Sequence, residues 1–184
     1  WDLGVATPKH APAGRGFARS LVYFEHKNDM WSYKEMQSAC IGAGAPYDLL
    51  ADLWEDDAPA AARVGAAVAA GAFEEQVFRD ELLAIVANAS AAAAATPLFL
   101  YYAPHVAHCP LQVPEAYYDA FAPLTAGDDE GACAAQTGSG YYAPGASEVY
   151  PGFDAQQRNL SCRALYAASV RFLDDTLGAL VGAL

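Results

Sequence analysis

The chain has 184 residues, 54% hydrophobic and 17% charged, with 22 acidic against 10 basic side chains and a formal net charge of −12. That length suits a single domain, and that composition a folded globular one able to bury roughly 70% of the surface its unfolded chain exposes. The acidic balance argues against a nucleic-acid partner, because phosphate binding needs a basic face; an anionic substrate could bind only where local donors overcome the overall field.

Residues 1–20 have a loop composition, with Gly4, Pro8, Pro12, Gly14 and Gly16 and a basic tint from Lys9, Arg15 and Arg19. Ser20 to Phe24 predicts a short strand. Residues 25–60 are aromatic-rich and irregular, and Trp31, Tyr33, Tyr47 and Trp54 are expected to anchor a long loop that ends in the acidic run Asp52–Asp57. From Phe73 to about Ala89, apolar residues recur every three or four positions, which predicts an amphipathic helix. Glu74 and Glu75 in its first turn suit the positive end of the helix dipole, and Pro97 limits any extension through the alanine run.

The continuous apolar run Leu98-Phe99-Leu100-Tyr101-Tyr102 follows that helix and predicts a strand buried on both faces. Helix followed by such a strand supports an α/β architecture, as in a parallel sheet covered by helices. Ligands in α/β sheets bind beyond the carboxyl ends of strands, where His105 and His108 stand. Residues 122–158, rich in Gly, Ala and Tyr, read as a long loop or insertion. Leu160 to Leu184 predicts a second helix with an apolar face of Leu165, Tyr166, Phe172, Leu173, Leu177, Leu180, Val181 and Leu184. No internal repeat is present, and no run approaches the ~20 apolar residues of a membrane-spanning helix. The chain opens on Trp1 without an initiator Met or signal-peptide pattern and closes on helix without a stop signal, which predicts an excerpt of a longer protein.

Four cysteines, at 40, 109, 133 and 162, are compatible with disulfides or with free thiols. Cys133 and Cys162 flank the long loop, and a bond between them would stabilise by roughly 3 kcal/mol in the loop-entropy picture; two free thiols are the alternative. The sequons at Asn88 and Asn159 would accept glycans in a secretory compartment, so an extracytoplasmic setting is expected. A metal site from His105, His108 and Cys109 lacks a second ligand pair elsewhere. The pairs Asp56-Asp57, Asp128-Asp129 and Asp174-Asp175 read as solvated surface rather than cation ligands. There is no phosphate-binding glycine loop, no dinucleotide fingerprint and no nucleophile elbow.

Three stretches carry a family resemblance. VAHCPLQVPEAYYDAF, residues 106–121, resembles the H-x-P-L-Q-V-P segment of type I sulfatases of the arylsulfatase B kind. WDLGVATPKHAPAGRGF resembles their G-K-W-H-L-G segment with its following R-G-F, and YAASVRFLDDTLGALVGAL resembles a helix that comes later in the family. The three occur in the family's order. The resemblance implies a sulfuric ester hydrolase with an alkaline-phosphatase-like fold, truncated here at both ends and acting on a small aryl or carbohydrate sulfate. It also implies a formylglycine nucleophile and a calcium ion that binds the sulfate. By the same resemblance His108 is the residue that contacts the sulfate ester and protonates the leaving oxygen, and Asp2 stands where the family has a histidine. None of the four cysteines lies in the C-x-P-x-R motif that yields formylglycine, and the calcium ligands fall outside residues 1–184. The isolated chain is therefore expected to be inactive. A non-catalytic sulfatase-like binding or structural module is the alternative.

Overall fold

The computed structural model describes residue 1 and residues 3–24, 28–33, 51–91, 97–108, 111–125 and 162–184. The chain divides into two compact units, Trp1–Glu74 and Glu75–Leu184.

In the first unit, β1 (Leu21–Val22), β2 (Trp54–Glu55) and β3 (Ala58–Pro59) form a three-stranded antiparallel sheet in that order. Leu21 pairs with Glu55, Val22 with Trp54, and Trp54 with Pro59. Pro59 has no N–H to give a ladder, so its place on the outer strand is the one a sheet tolerates. The link between β2 and β3 is the pair Asp56-Asp57, both at positive φ (47° and 65°), the backbone of a tight primed hairpin turn that Asp tolerates better than most residues. Asp56 also accepts the Ser20 N–H through Oδ1 at 2.8 Å and donates its own N–H to the Ser20 carbonyl at 3.0 Å, tying the turn to β1.

Three of the four expected aromatic anchors, Trp31, Tyr33 and Trp54, pack within this unit. Tyr33 is fully buried and donates its hydroxyl to the Ala72 carbonyl at 2.8 Å. Phe24 meets Trp54 edge-on at 5.3 Å, and Trp31 meets Phe73 at 5.2 Å. Tyr47 lies outside the described residues. Helix α1 (Ala61–Ala69) turns Val64, Ala67 and Val68 to one side, with Ala67 buried, and alanine's helix propensity supports it. It ends at Gly71, whose φ of 62° is the left-handed stop common at helix C-termini. Arg63 on α1 grips Glu55 on β2 with both Nε and Nη2.

The second unit is helical. Helix α2 (Glu74–Ala91) begins and ends close to the predicted bounds, with Leu82 and Val86 buried on one face. Helix α3 (Glu115–Asp119) starts directly after Pro114, and α4 (Cys162–Ala183) occupies the second predicted helix. Leu111, Val113 and Tyr118 pack with Ala164, Leu165 and Ala168 of α4 as one core.

Three expectations are corrected. The end of the stretch 25–60, expected to be irregular loop, holds β2, the Asp56-Asp57 turn and β3, because the paired backbone of a tight hairpin leaves no signal in so short and acidic a run. Residues 98–102 form no strand, and Leu98, Phe99 and Tyr101 are 46%, 77% and 65% exposed. A strand buried on both faces needs ladder partners on either side; among the described residues the sheet is β1–β2–β3, antiparallel and formed elsewhere. The α/β expectation therefore holds only at its coarsest, as a mixture of helix and sheet. The buried seam of α4 also differs from the predicted one. It runs through Ala164, Leu165, Ala168, Ser169, Phe172 and Thr176, while Tyr166, Leu177, Val181 and Leu184 are exposed. Small residues let the segment 111–118 approach closely. The buried hydroxyls of Ser169 and Thr176 are satisfied by the carbonyls of Leu165 and Phe172, at 2.9 and 3.0 Å. Among the described residues no helix is long and apolar enough to cross a membrane.

A Cβ added at Gly14 would stand 2.2 Å from the Pro8 carbonyl oxygen and 2.6 Å from Lys9 Cα, both backbone atoms with little room to yield. Gly14→Ala is expected to destabilise the protein by about 1–3 kcal/mol, read as a lowered urea midpoint with unchanged slope. The Arg63 hydrogen bond holds the Glu55 carboxyl below its ordinary range, against a smaller opposing effect of burial. With the folded value below the unfolded one, the pair stabilises at neutral pH and that contribution is lost as pH falls through the carboxylate range. Both partners are about one-third exposed, so Arg63→Ala should cost less than about 1 kcal/mol at pH 7, and the difference from wild type should vanish in acid unfolding curves.

Candidate functional site

Among the described residues from Tyr102 to His108 there is no helix or strand, only a turn at 106–108, so the backbone N–H groups there need partners of another kind. Glu75 supplies the central one. Its side chain, in the first turn of α2, is fully buried. Oε1 accepts the N–H of His105 and, at 3.1 Å, the N–H of Val106. Oε2 accepts the Tyr102 hydroxyl at 3.4 Å. The acidic pair read as a helix-dipole feature thus also contains the residue that binds the histidine segment. Helical phase was the signal available in the sequence: Glu75 stands seven and eleven positions before Leu82 and Val86, on the same buried face.

His105 is 5% exposed, whereas His108 is exposed to solvent. The His108 N–H returns to the His105 carbonyl at 3.0 Å, closing a turn across the cis peptide Val106–Ala107. The two imidazoles lie 6.1 Å apart, tilted by 32°. Beyond His108, Leu111, Gln112 and Val113 are buried, with exposures of 7%, 1% and 0%. His108 is therefore exposed at the end of a turn whose start is held by Glu75.

Tyr117 of α3 stacks edge-on against Phe172 of α4 at 5.3 Å, with the Arg79 guanidinium 5.5 Å from the same phenyl ring. Asp175 takes an ion pair from Arg171 at 2.8 Å and a hydrogen bond from Tyr117. The Asp174-Asp175 pair thus lies on a helix, as expected, with Asp175 engaged by neighbours. The Asp56-Asp57 pair is the hairpin turn, and Asp128-Asp129 lies outside the described residues.

The remaining candidates are not brought together. Asp2, Cys109, Cys133 and Asn159 lie outside the described residues, and Cys162 opens α4. Asn88 is exposed on α2. Among the described residues no three His, Cys, Asp or Glu side chains form a metal-binding group. Comparison with protein-family profiles, with curated proteins and with solved structures finds no match to this chain.

Three phenols are held in the neutral form. Burial first and then the charge of Glu74 push the Tyr33 hydroxyl far up. Burial, the Glu75 charge and the hydrogen bond to Glu75 do the same for Tyr102, against a smaller opposing effect of Arg79. Burial and Asp175 raise Tyr117, again opposed by Arg79. A raised folded value means stabilisation below the ordinary phenol range that is lost as pH climbs through the folded one. In a spectrophotometric titration at least three of the 11 tyrosines should ionise late, above the ordinary value of about 10, and Tyr102→Phe should remove one of them.

Proposed function

We propose that the chain is part of a sulfuric ester hydrolase of the arylsulfatase kind, whose complete catalytic domain has an alkaline-phosphatase-like fold and acts on a small aryl or carbohydrate sulfate. The observation that carries the reading is His108. It heads the H-x-P-L-Q-V-P segment and is exposed to solvent at the end of a turn whose start is held by Glu75. An exposed imidazole on a turn tied to a buried carboxylate suits proton delivery to an ester oxygen, since misplacement of the donor lowers the rate steeply. In this reading a proton held on the His108 imidazole passes to the departing oxygen while the sulfur–oxygen bond breaks and the sulfuryl group passes to the attacking nucleophile. On this resemblance, a formylglycine nucleophile and calcium ligands would have to be supplied by motifs that residues 1–184 do not contain. An extracytoplasmic setting fits the two sequons, of which Asn88 is surface-exposed.

Asp2, in place of the family's histidine, favours a second reading, a sulfatase-like module that binds without turnover. An ionised carboxylate accepts hydrogen bonds but donates none, so one contact to the reacting group would change character. A C-x-P-x-R motif upstream in the parent gene supports the enzyme, and its absence supports the module.

In the complete parent polypeptide, His108→Ala should lower kcat on aryl sulfates by about 10²-fold or more, the loss growing as the leaving phenol becomes more basic. Steady-state rates across a series of substituted phenyl sulfates measure this, and equal turnover by wild type and variant would overturn the assignment. The 184-residue chain alone should show no turnover.

A further inference from the structure

We infer that Glu75 is a positioning residue for His108, an inference that rests on the sulfatase reading of that histidine. The route is short and made entirely of hydrogen bonds. The Glu75 carboxylate, carried on the first turn of an 18-residue helix, holds the consecutive N–H groups of His105 and Val106. The His105 carbonyl then takes the N–H of His108 at 3.0 Å. His108 is thus two hydrogen-bonded steps from a buried carboxylate on a rigid element. Tyr102 donates to the other carboxylate oxygen at 3.4 Å, which restrains its rotation about the last side-chain bond. Three donors from one segment converge on one carboxylate, so shifting that carboxylate shifts the turn and the imidazole it carries. Glu75 touches neither substrate nor reacting atoms; it acts through His108 alone.

The test uses the complete parent enzyme with p-nitrophenyl sulfate and less activated phenyl sulfates. Glu75→Asp keeps the charge but withdraws the carboxylate by one methylene. It should lower kcat by about tenfold or more with KM held within about twofold, and should steepen the dependence on leaving-group basicity, as His108→Ala does. Glu75→Gln keeps a carbonyl acceptor for the two N–H groups and should retain kcat within about threefold. Because Glu75 acts through one residue, adding Glu75→Asp to His108→Ala should cause no further loss. Losses that multiply in the double variant, or wild-type kinetics for Glu75→Asp while His108→Ala is impaired, would overturn the inference and leave the sulfatase reading standing. Wild-type kinetics for His108→Ala would overturn that reading, and the inference with it.

Discussion

The Glu75 carboxylate accepts two successive backbone N–H groups and a phenol inside the protein, and the course of the chain from Tyr102 to His108 depends on it. A carboxylate out of water is costly unless its oxygens find donors, and a buried N–H without an acceptor costs about 1–3 kcal/mol. Each side of the contact answers the other's need. The position of Glu75 in the first turn of α2 adds the helix's own positive end to the balance, so the carboxylate is held by three donors and a favourable dipole.

The same device recurs in the first unit, and it gives the acidic composition an architectural meaning. Asp29 Oδ1 accepts the N–H groups of Trp31 and Ser32 and the Ser32 hydroxyl, within 2.8–3.1 Å. Asp52 accepts the Phe24 N–H at 2.9 Å, and Asp56 that of Ser20 at 2.8 Å. The strands are only two residues long, so ladders satisfy little of the backbone. Carboxylates inserted into irregular chain do that work instead, and Asn28 extends it by donating to the Asp52 carbonyl and to Glu74, at 2.8 and 3.1 Å.

For the proposed chemistry this arrangement separates two histidines that the sequence presents as near equals. His105 is buried beside the clamp, while His108 is exposed on the turn that the clamp carries. Burial suits a residue that supports the loop; exposure suits one that meets a substrate.

The sequence by itself determined the two long helices, because a three-and-four-residue apolar rhythm with a proline or loop at its boundary is a local property of the chain. It also marked the aromatic anchors and the histidine segment. Only the tertiary structure decided which face each helix buries: α4 turns its small residues inward because Leu111, Val113 and Tyr118 press close to it, and leaves Val181 and Leu184 outside. Tertiary structure likewise decided that the apolar run 98–102 is not a strand, since a ladder needs partners and composition alone does not provide them. The Glu75 contact spans 30 residues of chain to His105. A hydrogen bond between such distant positions leaves no local pattern beyond the phase of one glutamate on its helix, and it forms only when the fold brings that helix start and the loop together.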